Sequence, residues 1–328
     1  MTARQTLSWR SRAQKRRYGE GMDAVEGRLR TVAGAYAGPL GEACRSTLAA
    51  GGKRVRPLLT LLSARRGEPF SPAVIRAAAA VELLHMATLV HDDVLDRAEL
   101  RRGRATVAHE FGVETAVSTG NYLLARAFAE LAGTDSDAAV DVLSETAVGL
   151  SEGEVLQRRE AYDVTLETEA YERRCERKTA DLFAAACRLG ALLSGLDARE
   201  QRALSSYGRL LGLAFQVFDD ILDVSGDESR TGKRLGTDVR DGTVTLPLIF
   251  ALEARPALAP RLREGGALDE AAVSALIAEV RATGAPERAR GVALGYIDEA
   301  RRTLATCSED VERDLLEEVA RSVVDRFS

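Results

Sequence analysis

The stretch "AVIRAAAAVELLHMATLVHDDVLD", residues 73–96, decides how the chain is read. Ala, Leu and Glu are strong helix formers. The apolar residues recur at helical spacing and do not alternate as in a half-buried strand. "VELLHMATLV" is apolar on nearly every side, which places this helix at the centre of a core. It then runs into Asp92, Asp93 and Asp96, and Arg101 and Arg102 follow within a few residues. Like-charged carboxylates at the end of a buried helix are costly without a cation.

Outward from this stretch the reading stays helical. The eight prolines are Pro39, Pro57, Pro69, Pro72, Pro247, Pro256, Pro260 and Pro286, and none falls between Pro72 and Pro247. Alternating β-branched runs closed by Asn-Gly or Asp-Gly are nearly absent. The partial exception is "DGTVTLPLIFAL", which Pro247 demotes to a short extended lead into a helix. The pattern predicts an all-α protein, a bundle of long helices. Breaks fall near "RRGEPFSP", "AGTDSD", "SGDESRTGKRLG" and "EARPALAP". None is a long linker and no internal repeat is present, so one domain over residues 1–328 is predicted. The basic cluster Arg4, Arg10, Arg12, Lys15, Arg16 and Arg17 reads as a flexible tail over residues 1–20.

Composition narrows the function classes. Of 328 residues, 45 are Lys or Arg and 50 are Asp or Glu, a formal charge of 45 − 50 = −5. That balance argues against a nucleic-acid partner, which selects a basic footprint. The basic N-terminus is not followed by an apolar segment of secretory type, and no uninterrupted apolar run is long enough for a transmembrane segment. Cys44, Cys175, Cys187 and Cys307 form no C-x-x-C pair, and His is scarce, which excludes the usual zinc patterns. Few, scattered thiols used as apolar filler predict a cytoplasmic location.

On a helix Asp92 and Asp96, four apart, share a face. His85, seven before Asp92, joins that stripe, and Asp93 sits about a quarter-turn around. "FQVFDDILDVSGD" repeats the arrangement with Asp219, Asp220 and Asp223. Paired hard oxygen donors suit Mg²⁺, which keeps several waters and shares phosphate oxygens. Cations accompany both motifs. "GGKRVRP" puts Lys53 and Arg56 three apart on one helical face, Arg101 and Arg102 follow the first motif, and Lys178 and Lys233 lie in "RKTADLF" and "TGKRLG". Arg forks and Lys point charges beside metal-type carboxylates predict binding of highly anionic groups. "GDESRTGK" fails as a P-loop, because its glycines are one residue too far apart and Arg234 replaces the Ser/Thr. No G-x-S-x-G elbow or G-x-G-x-x-G turn is present. Gly208 and Gly212, a lone G-x-x-x-G, read as close helix packing.

The ordered set "GGKRVRP", "ELLHMATLVHDDVLDRAELRRG", "GNYLLARAF", "EGEVLQ", "RKTADLF", "FQVFDDILD" and "GKRLGTDVRDGTVTLP" resembles the trans-isoprenyl diphosphate synthases, or polyprenyl synthetases, over most of the chain. "HMATLVHDD" resembles their medium- and long-chain branch. The resemblance implies the isoprenoid synthase fold, long helices around a central cavity, in a homodimer. It implies a Mg²⁺-dependent prenyltransferase that adds isopentenyl diphosphate head to tail to an allylic diphosphate. By resemblance Asp92, Asp96 and Asp219 hold the metal, with Asp93 and Asp223 in support. Arg101, Lys178 and Lys233 assist on the allylic side, while Lys53, Arg56, His85 and Arg102 hold isopentenyl diphosphate. Thr179, Gln216 and the Lys178 carbonyl face the developing carbocation. No side-chain base is evident, and the family is thought to use the released pyrophosphate. One departure is Thr243, where many short-chain relatives carry Lys, which puts one extra diphosphate contact in doubt.

Chain length follows from the residues before the first motif. Thr88 lies one turn before Asp92, Ala87 is beside it, and Leu84 is one turn deeper. Short-chain members of the family carry an aromatic at one of the first two positions, and here both are small. The expected product is linear and longer than geranylgeranyl diphosphate, in the hexaprenyl to decaprenyl range. The alternative is that Leu84, or Phe128 from another helix, closes the tunnel early and gives farnesyl or geranylgeranyl diphosphate. Three other readings explain less. A terpene cyclase needs no second diphosphate site, a non-catalytic partner subunit lacks the acidic motifs, and a plain scaffold leaves them unexplained.

Overall fold

The computed structural model describes residues 11–67, 69–226 and 235–325. The protein is all-α, with one two-stranded hairpin among the described residues. Its contacts group into two compact units: residues 1–147, 182–208 and 303–319, and residues 148–181, 209–302 and 320–328.

The first unit is built on α4 (Pro72–Leu95). The Ser71 hydroxyl caps this helix by accepting from the Val74 N–H at 3.3 Å, and Pro72 occupies its first turn, where no N–H is missed. Ala77 to Val81 are fully buried. Against α4 pack α1 (Arg12–Ala33), α3 (Val55–Leu62), α5 (Val107–Phe111) and α6 (Val113–Ala132), and α2 (Gly38–Ala49) lies beside α6. Leu58, Leu59, Leu61 and Leu62 of α3 are all buried, each contributing about 1.5–3 kcal/mol by removal from water. Of the G-x-x-x-G pair, Gly208 shows the expected close packing: a Cβ there would sit 2.5 Å from the Phe183 carbonyl oxygen.

Three expectations for this unit change. The basic tail does not extend to residue 20, because α1 begins at Arg12, capped by Ser11. Tyr18, Met22, Val25, Leu29 and Val32 recur at helical spacing and are buried, and that apolar stripe carries the helix back through the basic residues. Arg17 itself stacks over Phe70 at 4.2 Å. Residues 1–10 lie outside the described residues. Second, α4 is long and apolar enough, by length and composition, to cross a membrane, although Glu82 and His85 interrupt it; most of it is buried inside the protein. Third, a hairpin joins β1 (Leu100–Arg101) to β2 (Arg104–Ala105), with Leu100 opposite Ala105. Arg102 and Gly103, at φ 53° and 74°, form its two-residue turn, the left-handed pair that short hairpins need. Strands of two residues carry no alternation for a sequence to display.

The second unit contains α8 (Thr168–Cys175), which runs through a π-helical turn (Glu176–Ala180) into α9 (Asp181–Leu193). It also holds the C-terminal half of α10 (Ala198–Ser225) and α11 (Thr237–Asp241). After these come α12 (Leu246–Ala254), α13 (Ala259–Arg263), α14 (Glu270–Ala282) and α15 (Ala285–Leu304). Thr245 is extended and Pro247 sits in the first turn of α12, as the sequence predicts. Arg174 is 3% exposed. It joins α8 to Glu160 at 2.8 Å and to the Val244 carbonyl at 2.6 Å. All four cysteines are free and buried, and burial pushes the Cys187 thiol up to about 12, so it stays protonated.

Candidate active site at two acidic helix ends

The first acidic motif closes α4. Asp96 is its C-cap, and its N–H donates to the Asp92 carbonyl at 2.8 Å, so the helical register carries Asp92 and Asp96 on one face as expected. A helix C-terminus carries about half a negative charge, which disfavours carboxylates unless a cation is near. Asp93 is 5% exposed and has that cation, because Arg101 of β1 donates Nε–H to its Oδ1 at 2.7 Å. Burial pushes the Asp93 carboxyl up, and Arg101 opposes the shift. Asp93 therefore holds Arg101, while Asp92 is half-buried and Asp96 exposed.

On the same face of α4 as Asp92, His85 meets Arg56 of α3. Arg56 donates from Nη1 to His85 Nε2 at 3.2 Å and stacks over Phe183 at 4.6 Å. Burial lowers the Arg56 guanidinium to about 10, and its buried Nε has no hydrogen-bond partner among the described residues. An arginine only donates, so His85 Nε2 must accept and Nδ1 carries the hydrogen. Burial holds the His85 imidazole well below its usual value, and Arg56, Arg102, Arg101 and Arg54 add repulsion. Arg102 donates to the Gly51 carbonyl. A cleft beside these residues is lined by Arg54, Glu82, His85, Asp93, Arg101 and Arg102.

One geometric expectation fails. Lys53 does not share a helical face with Arg56, because α3 begins at Val55 and Arg54 is left-handed at φ 53°. Arg54, passed over in the sequence, bridges Glu26 and Glu82 at 2.7 Å each. Those two ion pairs hold the turn that carries Lys53 outward, where it is exposed.

His85 gives a direct pH test. The chain has three histidines, few enough to resolve by NMR. The midpoint of the His85 ring signals should lie well below the ordinary imidazole value, and Arg56→Ala should move it upward. Below about pH 6.5 the unfolded chain then binds a proton that the folded one refuses, so stability falls as pH drops. A wild-type midpoint at the ordinary imidazole value would refute this burial.

The second motif closes α10. Asp219 and Asp223 are half-buried, and Asp220 is 4% exposed. Asp220 accepts from the Tyr171 hydroxyl at 2.6 Å and from Gln216 Nε2 at 2.7 Å. Gln216 Oε1 in turn accepts from the Thr179 hydroxyl at 2.7 Å. Burial pushes the Asp220 carboxyl up to about 7, against those hydrogen bonds. Asp223 caps α11, accepting from the Thr237 and Asp238 N–H groups at 3.0 and 3.1 Å. Asp238, missed in the sequence, has its carboxyl pushed up by burial and by Asp223, Asp220 and Asp219. Its only sequence signal is one more acid after the motif. Lys233 lies outside the described residues.

Lys178 sits on the π-helical turn and donates Nζ–H to Glu154 at 2.5 Å. Such turns recur at functional sites. Glu154 belongs to α7 (Asp137–Arg159), and its neighbour Gly153 shows why that approach is possible. A Cβ at Gly153 would lie 2.5 Å from the Lys178 backbone nitrogen and 2.8 Å from its Cα. Gly153→Ala should displace the turn, costing about 1–3 kcal/mol as overpacking does. A lower thermal midpoint together with a reduced kcat would carry this; an unchanged pair would refute it.

The donor set fits a hard cation. Among the described residues no group of three or more His, Cys, Asp or Glu is gathered as a metal cage. One or two carboxylates at a helix end suit Mg²⁺, which fills its remaining positions with water and phosphate oxygens.

Comparison with known proteins identifies the family. The family described as polyprenyl synthetase matches residues 38–280. The chain is 40% identical over 297 residues to heptaprenyl diphosphate synthase component 2 of Geobacillus stearothermophilus, covering 90% of this chain and 93% of that protein. It is 38% identical over 260 residues to nonaprenyl diphosphate synthase of Mycobacterium tuberculosis, covering 78% and 77%. The crystal structure of heptaprenyl diphosphate synthase from Staphylococcus aureus superposes with a TM-score of 0.89 at 30% identity, covering 95% of this chain and 99% of that one.

Proposed function

The chain belongs to the polyprenyl synthetase family, and from that premise we propose that it is a Mg²⁺-dependent trans-prenyltransferase. It joins isopentenyl diphosphate head to tail to an allylic diphosphate. The observation that carries this reading is that Arg101, held by Asp93, stands at the acidic end of α4, while Lys178, held by Glu154, directly precedes Thr179, which bonds Gln216 one turn before Asp220. Such an arrangement suits a diphosphate that must leave with its charge neutralised.

The allylic C–O bond breaks, pyrophosphate departs, and the isopentenyl double bond forms the new carbon–carbon bond. The proton lost afterwards goes to the released pyrophosphate. Asp92, Asp96 and Asp219 are the residues that would hold Mg²⁺, which would supply charge neutralisation to the leaving group. Arg101, Lys178 and Lys233 bind that diphosphate, and the Thr179 and Gln216 oxygens face the allylic cation. Arg56, Lys53 and Arg102 bind isopentenyl diphosphate, and His85 contributes a neutral donor. The work of these residues is positioning and preorganised electrostatics.

The product is longer than geranylgeranyl diphosphate, supported by the small Ala87 and by relatives named heptaprenyl and nonaprenyl synthases. The protein acts as a homodimer, for which the exposed Val113 and Val117 of α6 offer an apolar face. Four free thiols suit a cytoplasmic enzyme. The test is incubation of this chain alone with both substrates and Mg²⁺, reading products by mass spectrometry. A ladder ending beyond the C20 product is expected. A cyclised product, a stop at C15 or C20, or turnover only after a second protein is added would each overturn part of this reading.

A further inference from the structure

Tyr171 lies outside every motif that marks this site, yet it ends a continuous hydrogen-bonded chain leading to the reaction centre. The chain runs Tyr171, Asp220, Gln216, Thr179, with links of 2.6, 2.7 and 2.7 Å. Tyr171 is 1% exposed, and Thr179 and Asp220 are also buried, so water has little access to substitute for a lost link.

The direction of each bond matters. The Asp220 carboxylate accepts on both oxygens, one from Tyr171 and one from the Gln216 NH₂ group. That turns the amide of Gln216 so that its oxygen faces Thr179. The Thr179 hydroxyl hydrogen is then committed to Gln216, and the remaining lone pairs of Thr179 are free to point elsewhere. A hydroxyl with its hydrogen turned outward would oppose a nearby cation; one locked as an acceptor stabilises it. The position of Asp220, i+4 from Gln216 on α10, accounts for one link. Among the described residues, Tyr171 from α8 fixes the other carboxylate oxygen.

We propose that Tyr171 is a positioning residue for allylic ionisation, which through Asp220 and Gln216 holds Thr179 with its lone pairs toward the developing cation. This rests on the reading that Thr179 and Gln216 face that cation. Tyr171 touches neither substrate nor diphosphate, so its loss should act on the chemical step and not on binding.

The test is the single-turnover rate of the first condensation, measured for Tyr171→Phe, Thr179→Val and the double variant. Single turnover removes slow release of a long product from the measurement. Tyr171→Phe should slow the step about tenfold, less than loss of a direct contact, with KM for both substrates and the Mg²⁺ requirement unchanged. The double variant should be no slower than Thr179→Val alone, because both substitutions break one chain. Should Tyr171→Phe fold poorly, Asp220→Asn gives the second measurement, since it lets Gln216 turn over, and the same non-additivity with Thr179→Val is expected. A wild-type rate in Tyr171→Phe, or defects that multiply, would overturn the proposal while leaving the catalytic role of Thr179 intact. A wild-type rate in Thr179→Val would instead overturn the reading on which it rests.

Discussion

Asp92→Ala and Asp219→Ala should each slow condensation about a hundredfold or more at saturating Mg²⁺. Asp92 sits in the last turn of α4, where the helix dipole already disfavours negative charge, and Asp219 lies nearly two turns before the end of α10, each half-buried. Carboxylates that remain partly accessible in this way are suited to a cation from solvent. Asp93 and Asp220 are not equivalent to them, being buried. Losing one preorganised charge contact to a transition state costs about 10²–10³ in rate. The check is kcat across a Mg²⁺ titration for each variant, with thermal midpoints to establish folding. Near-normal turnover in either would exclude the assigned metal role. Asp93→Ala should behave differently, weakening allylic substrate binding through a displaced Arg101 more than it alters the Mg²⁺ requirement.

Ala87→Phe should shorten the product to farnesyl or geranylgeranyl diphosphate while the first condensation survives. Ala87 and Leu84 are each 2% exposed, and Thr88, half-buried, turns its hydroxyl back to the His85 carbonyl at 2.8 Å. That internal bond leaves the Thr88 methyl as the group available to an apolar chain. A benzyl-sized addition at Ala87 enters an interior packed near crystal density, which cannot absorb it without blockage or strain. Mass spectrometry of the products and a thermal midpoint separate the two outcomes. A shortened ladder from a folded variant supports a tunnel along α4. Unchanged products from a folded variant would place the tunnel elsewhere.

Much of this protein is determined locally and was therefore legible as sequence. The Ala- and Leu-rich run of α4 can bury an all-round apolar surface only as a central helix, and Pro72 and Ser71 set its start. Two D-D-x-x-D motifs announce their own chemistry, because spacing along one helix decides which carboxylates share a face. Which aspartate of each motif is buried was decided by tertiary structure alone. Asp93 finds Arg101 across a hairpin turn, and Asp220 finds Tyr171 from α8, 49 residues away in the chain. The same holds for Glu154 beside Lys178, separated by 24 residues and brought together because Gly153 has no side chain. Arg54 adopts a left-handed backbone that no local propensity favours, and it holds two carboxylates as it does so. Periodicity reports the face on which a side chain leaves its helix. The partner it meets depends on chain brought close by packing, and that is what buries Asp93 and Asp220.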